Sequence, residues 1–168
     1  MKRERLVPRE FDRERIDKKT TWCGPFAAQR ILENRGVWYN LEELAKRLDA
    51  DINGYSDIRE IQKFFEELRF PVTYKTEASF QKLRSEIKNG NAVMVSRMSW
   101  HKGKLYEHIS AVDLIERDSI VLVESVGDGS LTRIQFERYT KESFLKLWYD
   151  SQATGCYLAV GRKPKRRR

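Results

Sequence analysis

Cysteine and histidine are scarce in this 168-residue chain, two of each, and proline appears only four times. Cys23 and Cys156 allow at most one bridge, which is weak evidence of a disulfide scaffold and suits a reducing compartment as well; whether the two ever pair stays open. Two histidines and two cysteines so far apart offer no zinc spacing, so no metal site is expected. No run of about 18 apolar residues is present, so no membrane span is expected. The start Met1-Lys2-Arg3-Glu4-Arg5 leads into no apolar core of the signal-peptide kind. A Gly-rich phosphate loop and a dinucleotide fingerprint are both missing, so no cofactor is expected. Nor is there an internal repeat. These absences together point to a cytoplasmic protein.

What is present is a hydrophobic fraction of 40% over a length that suits one domain. The formal charge of +8 is concentrated at the ends. Residues 1–20 carry 8 Lys/Arg against 5 Asp/Glu, and residues 162–168 carry 6 basic groups and no acid, which leaves the body at −1. We read 1–19 as a charged N-terminal arm, 20–161 as the folded domain and 162–168 as a basic tail. The tail either solubilises the chain or makes non-specific contacts with nucleic acid or an acidic surface.

Apolar spacing predicts a helix from Cys23 to about Arg35, opened by Gly24-Pro25 and stopped by Gly36. Asn40-Leu41-Glu42-Glu43 resembles a capping box for a second helix through Leu48. Asn53-Gly54 marks a turn, and Ser56 is expected to cap a third helix carrying Ile58, Ile61, Phe64, Phe65 and Leu68. Val72–Lys75 reads as a short strand, and Ser79 opens a fourth helix that Asn89-Gly90 closes. From there the period becomes extended. Strands are expected at Ala92–Val95, Tyr106–Leu114, Ser119–Ser125, Arg133–Phe136 and Gly155–Val160, with a loop at Ser99–Gly103 and a short helix from Lys141 to Tyr149. Helices first and an antiparallel sheet second is an α+β arrangement.

The stretch Trp22-Cys23-Gly24-Pro25 puts a thiol at a helix N-terminus. Unpaired backbone N–H groups and the positive end of the helix dipole favour its thiolate there. His108, Ser110 and Val112 share one face of a strand, and Ile120, Leu122 and Glu124 share one face of the next. A short turn between the strands sets His108 and Glu124 opposite or diagonal to one another. A carboxylate there fixes the imidazole tautomer and supports its charge, and the imidazolium in turn supports the thiolate. Cys23, His108 and Glu124 are therefore candidate catalytic residues, with Asp128 as the alternative acid. His101, the other histidine, lacks an acid at strand spacing. Trp22, Gly24, Trp100 and Tyr106 are the candidate lining of a substrate cleft, though the two aromatic residues beside the hairpin suit ordinary packing as well.

These residues resemble those of the papain-like cysteine peptidases. Trp22-Cys23-Gly24-Pro25 leading into a helix, then His108 on a strand, then an acid at 124, is most similar to the bacteriocin-processing branch, which removes double-glycine leader peptides. Gly54-Tyr55-Ser56 before the third helix follows that branch's order, and the resemblance covers about residues 17–150. It implies a papain-like α+β fold, N-terminal helices packed on a C-terminal antiparallel sheet. It also implies Cys23 as nucleophile, His108 as general base and acid, Glu124 as orienting residue, and a peptide or protein substrate with small residues near the scissile bond. Lacking a transporter segment, such an enzyme is expected to be free-standing. Two departures stand out. Glu124 occupies the place of the family's Asp (Asn in papain itself), and Arg15–Lys19 holds no Gln where the family has an oxyanion donor, leaving the Cys23 backbone N–H as one donor. The alternatives are a catalytically silent peptide-binding module on the same fold, a thiol-dependent acyl transferase, and an accessory protein docked to nucleic acid by its tail.

Overall fold

Cys23 opens the first helix of the structure, a computed structural model that describes residues 22–50, 56–101, 104–127 and 132–164. Helix α1, Cys23–Asn34, is buried from Gly24 through Leu32. A helix covered on all sides is a core element rather than a surface one. Even its polar residues find partners: Gln29 Nε2 donates to the Tyr39 carbonyl at 2.9 Å, and Arg30 donates to Gln29 Oε1 and Glu33 Oε1 at 2.9 Å each. The helix ends where Gly36 takes φ +73°, and the Val37 N–H returns to the Leu32 carbonyl at 2.9 Å.

Helices α2 (Leu41–Arg47) and α3 (Ile58–Glu67) follow, then β1 (Val72–Lys75) and α4 (Phe80–Lys88). Asn40 and Ser79 cap α2 and α4 as the sequence suggested, accepting from Glu42 and Lys82 backbone N–H groups at 2.8 and 3.1 Å. The expectation for Ser56 is corrected. Asp57 caps α3 through the Arg59 N–H at 2.7 Å, while the Ser56 hydroxyl is used by the Leu48 carbonyl at 3.0 Å. The Asn53-Gly54 turn lies outside the described residues.

Strands β2 (Ala92–His101), β3 (Lys104–Ile115), β4 (Ser119–Gly127) and β5 (Thr132–Thr140) come next, then α5 (Lys141–Tyr149) and β6 (Tyr157–Val160). All pair antiparallel in one six-stranded sheet of order β1-β6-β2-β3-β4-β5. The loop expected from Ser99 is corrected: β2 continues to His101, which pairs with Lys104 on β3. Strand alternation then divides the core in two. Met94, Ile109, Ala111, Val123 and Leu158 face α1, α2 and α3, whereas Val93, Val95, Val112, Leu122 and Tyr157 face Phe80, Leu83, Phe144 and Trp148 of α4 and α5. The sheet therefore carries helices on both faces. The Trp148 indole donates to the Cys156 carbonyl at 2.8 Å, tying α5 to β6.

The β3–β4 ladder runs from Ile115↔Ile120 to Ala111↔Val123 and shifts register between Val112 and Leu114. Past Ala111, β3 continues along β2 and β4 continues along β5 to Gly127↔Thr132. The β3–β4 pairing stops at Ala111↔Val123, and Cys23, the first residue of α1, bonds to His108 and the Ile109 backbone just beyond that point on β3.

Candidate active site

Cys23 owes its position to α1, which rests on the Ile109, Ala111 and Val123 face of the sheet. Gly24 allows this close approach. A Cβ on Gly24 would stand 3.0 Å from Ser56 Cβ and 3.2 Å from Ile61 Cδ1. Trp22, the residue before the helix, supplies no side-chain cap, so the first-turn N–H groups are not taken up by one. Trp22 is partly buried, and its indole N–H is enclosed with no acceptor among the described residues.

His108 and Glu124 come from the opposite face. Arg97 pairs with His108 and Val95 with Ser110, while Val112 pairs with Leu122 and Glu124 with Gln135. By alternation Arg97, His108, Ser110 and Glu124 share the α4–α5 face. Glu124 is diagonal to His108, and its Oε2 forms a hydrogen bond with His108 Nε2. That bond leaves Nδ1 as the ring nitrogen for Cys23, which hydrogen-bonds to the His108 side chain.

The charges in this cluster support one another. Burial pushes the Cys23 thiol up, but the hydrogen bond and positive charge of His108, with the Ile109 backbone N–H, outweigh it and hold the thiol below its ordinary value. Burial pulls the His108 ring down, yet its bonds to Cys23 and Glu124 and their negative charges raise it to about 10. Glu124 is also buried, which pushes it up. His108, Arg97 and Ser110 hold it below the usual carboxylate range. A protonated imidazole beside a deprotonated thiol is the favoured state of such a pair, and it is the state in which a thiol attacks carbonyl carbon.

Two members of the cluster were not singled out by sequence reasoning. Arg97 Nη2 lies 2.7 Å from Glu124 Oε1, and Ser110 Oγ donates to the same oxygen at 2.5 Å. The signal for Arg97 was a lone cation in the apolar run of β2, and for Ser110 its place on the His108 face. Of the other candidates, Trp100 is exposed and pairs with Leu105 on the face that α1 covers further along. Tyr106 pairs with Ser99 on β3, but its side chain lies outside the described residues, as do Asp128, Gly54, Tyr55 and Arg15–Lys19. His101 is the last residue of β2. Cys156 is a free cysteine like Cys23, fully buried, with burial pushing its thiol up to about 11. Among the described residues, no group of three or more His, Cys, Asp or Glu side chains could hold a metal ion, and no helix is long and apolar enough to cross a membrane.

No family model matches the sequence, and neither does any curated protein. Solved structures do resemble it. The peptidase domain of Streptococcus ComA, a bi-functional ABC transporter involved in a quorum-sensing pathway, superposes with a TM-score of 0.62 at 17% identity, over 95% of this chain and 99% of that one. A Bacillus anthracis protein assigned as a C39-like peptidase superposes with a TM-score of 0.62 at 12% identity, over 98% and 100% of the two chains. The fold is thus the papain-like α+β fold of these peptidase domains, as the sequence resemblance implied.

Proposed function

We propose that this chain is a cysteine peptidase that hydrolyses a peptide bond with Cys23 as nucleophile, His108 as proton carrier and Glu124 as the residue that orients the ring. The observation that carries this reading is the convergence of the three side chains just beyond the point where the β3–β4 pairing stops. The Cys23 thiol is held below its ordinary value there, and the His108 ring is raised to about 10.

The reaction follows from that arrangement. The Cys23 thiolate adds to the scissile carbonyl, forming a C–S bond and placing the negative charge on the carbonyl oxygen. First-turn N–H groups of α1, which no side-chain cap takes up, are the donors available to that oxyanion. His108 gives its proton to the leaving amine as the C–N bond breaks. The neutral ring then takes a proton from water as the water oxygen attacks the thioester; the C–S bond breaks, the acid leaves, and the thiolate stands again beside a protonated ring. Glu124 keeps Nε2 occupied throughout, so that Nδ1 stays directed at the sulfur.

The substrate class suggested by the resemblance is an extended peptide with small residues at the cleaved bond. Trp100 and Leu105 extend the face on which Cys23 sits and would give such a peptide an apolar contact.

The test is digestion of a peptide mixture containing double-glycine sequences, followed by mass spectrometry, with wild type and Cys23→Ala. Cleavage by wild type that disappears in Cys23→Ala, at unchanged melting temperature, is the expected result. Cleavage that survives the substitution, or a wild type that binds these peptides and never cleaves them, would overturn the reading.

A further inference from the structure

We propose that Arg97 is a positioning residue that dictates a carboxylate, rather than an amide, as the partner of His108, so that Arg97 and Glu124 act as one unit. This rests on the peptidase reading of the site. Arg97 lies in the middle of β2, directly paired with His108, and its side chain is only 1% exposed. Its Nη2 is 2.7 Å from Glu124 Oε1 and 3.6 Å from Glu137 Oε2, and its Nη1 donates to the Met98 carbonyl at 3.0 Å. The guanidinium carbon stands 5.0 Å from the centroid of the Tyr139 ring, and the Tyr139 hydroxyl donates to Glu137.

Glu124 therefore accepts on both sides. Oε2 takes the His108 ring, and Oε1 takes Arg97 and Ser110. An amide has one oxygen and one NH2 group. Turned either way, a Gln at 124 would point donors at a protonated ring or at a buried guanidinium, and neither can accept. A buried cation left without its acceptor is costly, as is a buried donor facing another donor. Arg97 is what removes the amide option, because without it the NH2 group would face only the Ser110 hydroxyl, which can accept.

Arg97 also closes the charge count of the site. Cys23 thiolate, His108 imidazolium, Glu124 carboxylate and Arg97 guanidinium sum to zero, with the Glu137 carboxylate at the rim, 3.6 Å from Arg97, adding one negative charge. Among the described residues, the ionisable groups facing Arg97 are His108 on β3, Glu124 on β4, and Glu137 and Tyr139 on β5, with Cys23 of α1 beyond the ring. Glu107 is on the other face, bonded to Ser96 at 2.9 Å. Removing Arg97 leaves a net negative site, which disfavours the thiolate and favours the imidazolium. Both limbs of a pH profile then move to higher pH, a shift that mere loosening of the fold does not produce.

The experiment is site-resolved alkylation of Cys23 by iodoacetamide against pH in wild type, Arg97→Met, Glu124→Gln and the double variant, with melting curves for each. Glu124→Gln should slow alkylation near neutrality by about 3-fold or more, the thiolate lost with one charge-assisted hydrogen bond less the gain in nucleophilicity of a more basic thiolate. Arg97→Met should move both limbs upward. The double variant should react faster than Glu124→Gln alone, a non-additive recovery. A double variant as slow as Glu124→Gln, or slower, overturns the inference. If Arg97→Met does not fold, Arg97→Lys takes its place; it retains a cation facing the amide, so no recovery is expected and recovery refutes the proposal. An ordinary thiol profile in wild type would refute the peptidase site itself. A depressed wild-type profile without recovery refutes only the role of Arg97.

Discussion

Gly24→Ala puts two effects in opposition, and their balance tests whether α1 is held by contact at its first turn. Helix propensity alone would make the substitution stabilising by up to about 1 kcal/mol. Against it stands a new Cβ 3.0 Å from Ser56 Cβ and 3.2 Å from Ile61 Cδ1. Ser56 Cβ is fixed to the backbone and cannot rotate aside, and its hydroxyl is anchored on the Leu48 carbonyl. Overpacking of this kind costs about 1–3 kcal/mol. The net effect is then a destabilisation of about 0–2 kcal/mol, a fall of up to about 8 °C in Tm at about 2–4 °C per kcal/mol for a chain of this length. The start of α1 has to move by a few tenths of an ångström to relieve the contact, and Cys23 moves with it. Misplacement by about 1 Å can cost about 100-fold in rate, so a smaller shift should slow Cys23 alkylation several-fold. Gly36→Ala is the control. It faces open space at φ +73°, so it should cost about 1–2 kcal/mol through backbone strain and leave alkylation unchanged. A Gly24→Ala protein that melts higher than wild type and alkylates at the same rate would refute this account of the helix start.

Further outcomes follow from the same geometry. Glu124, held below its ordinary value near 4.5, contributes stability that is present above that value and is lost as pH falls through the lower folded-state value. The melting temperature should therefore decline less steeply below pH 4.5 in Glu124→Gln than in wild type, and equal slopes would contradict the assignment. Trp100 is 67% exposed, so Trp100→Ala should change stability by no more than about 0.5 kcal/mol while raising KM for peptide cleavage; an unchanged KM would remove Trp100 from the cleft.

Much of the fold was legible because it is written locally. Caps at Asn40 and Ser79, stops at Gly36 and Gly90, and the period of two in β3 and β4 each depend on a few neighbouring residues. Ser56 misled because two good caps stand side by side and only tertiary contact decides which one turns to the helix. Ser99-Trp100-His101 read as a loop because polar composition hides a hairpin whose strands are held by pairing with each other. That α4 and α5 cross to the far face of the sheet could not be read from any one segment. The same division holds at the site. Cys23 at a helix start and His108 near an acid on the next strand are short-range patterns, whereas Arg97 gains its meaning only through register with His108 and its reach to Glu124.

The measurement that tests the central claim most directly is the pH dependence of Cys23 alkylation in wild type and His108→Ala. Removing the ring takes away the hydrogen bond and charge that outweigh burial, and leaves the negative charge of Glu124 opposing the thiolate. A charge-assisted hydrogen bond worth about 1.5–3 kcal/mol lowers the thiolate population near neutrality by about 10- to 100-fold. Greater nucleophilicity of the more basic thiolate gives back part of that, so the observed rate should fall by about 3- to 15-fold. The account predicts a profile in wild type that sets in below the free-cysteine range and moves up when His108 is lost. Superimposable profiles, both those of an ordinary thiol, would contradict it.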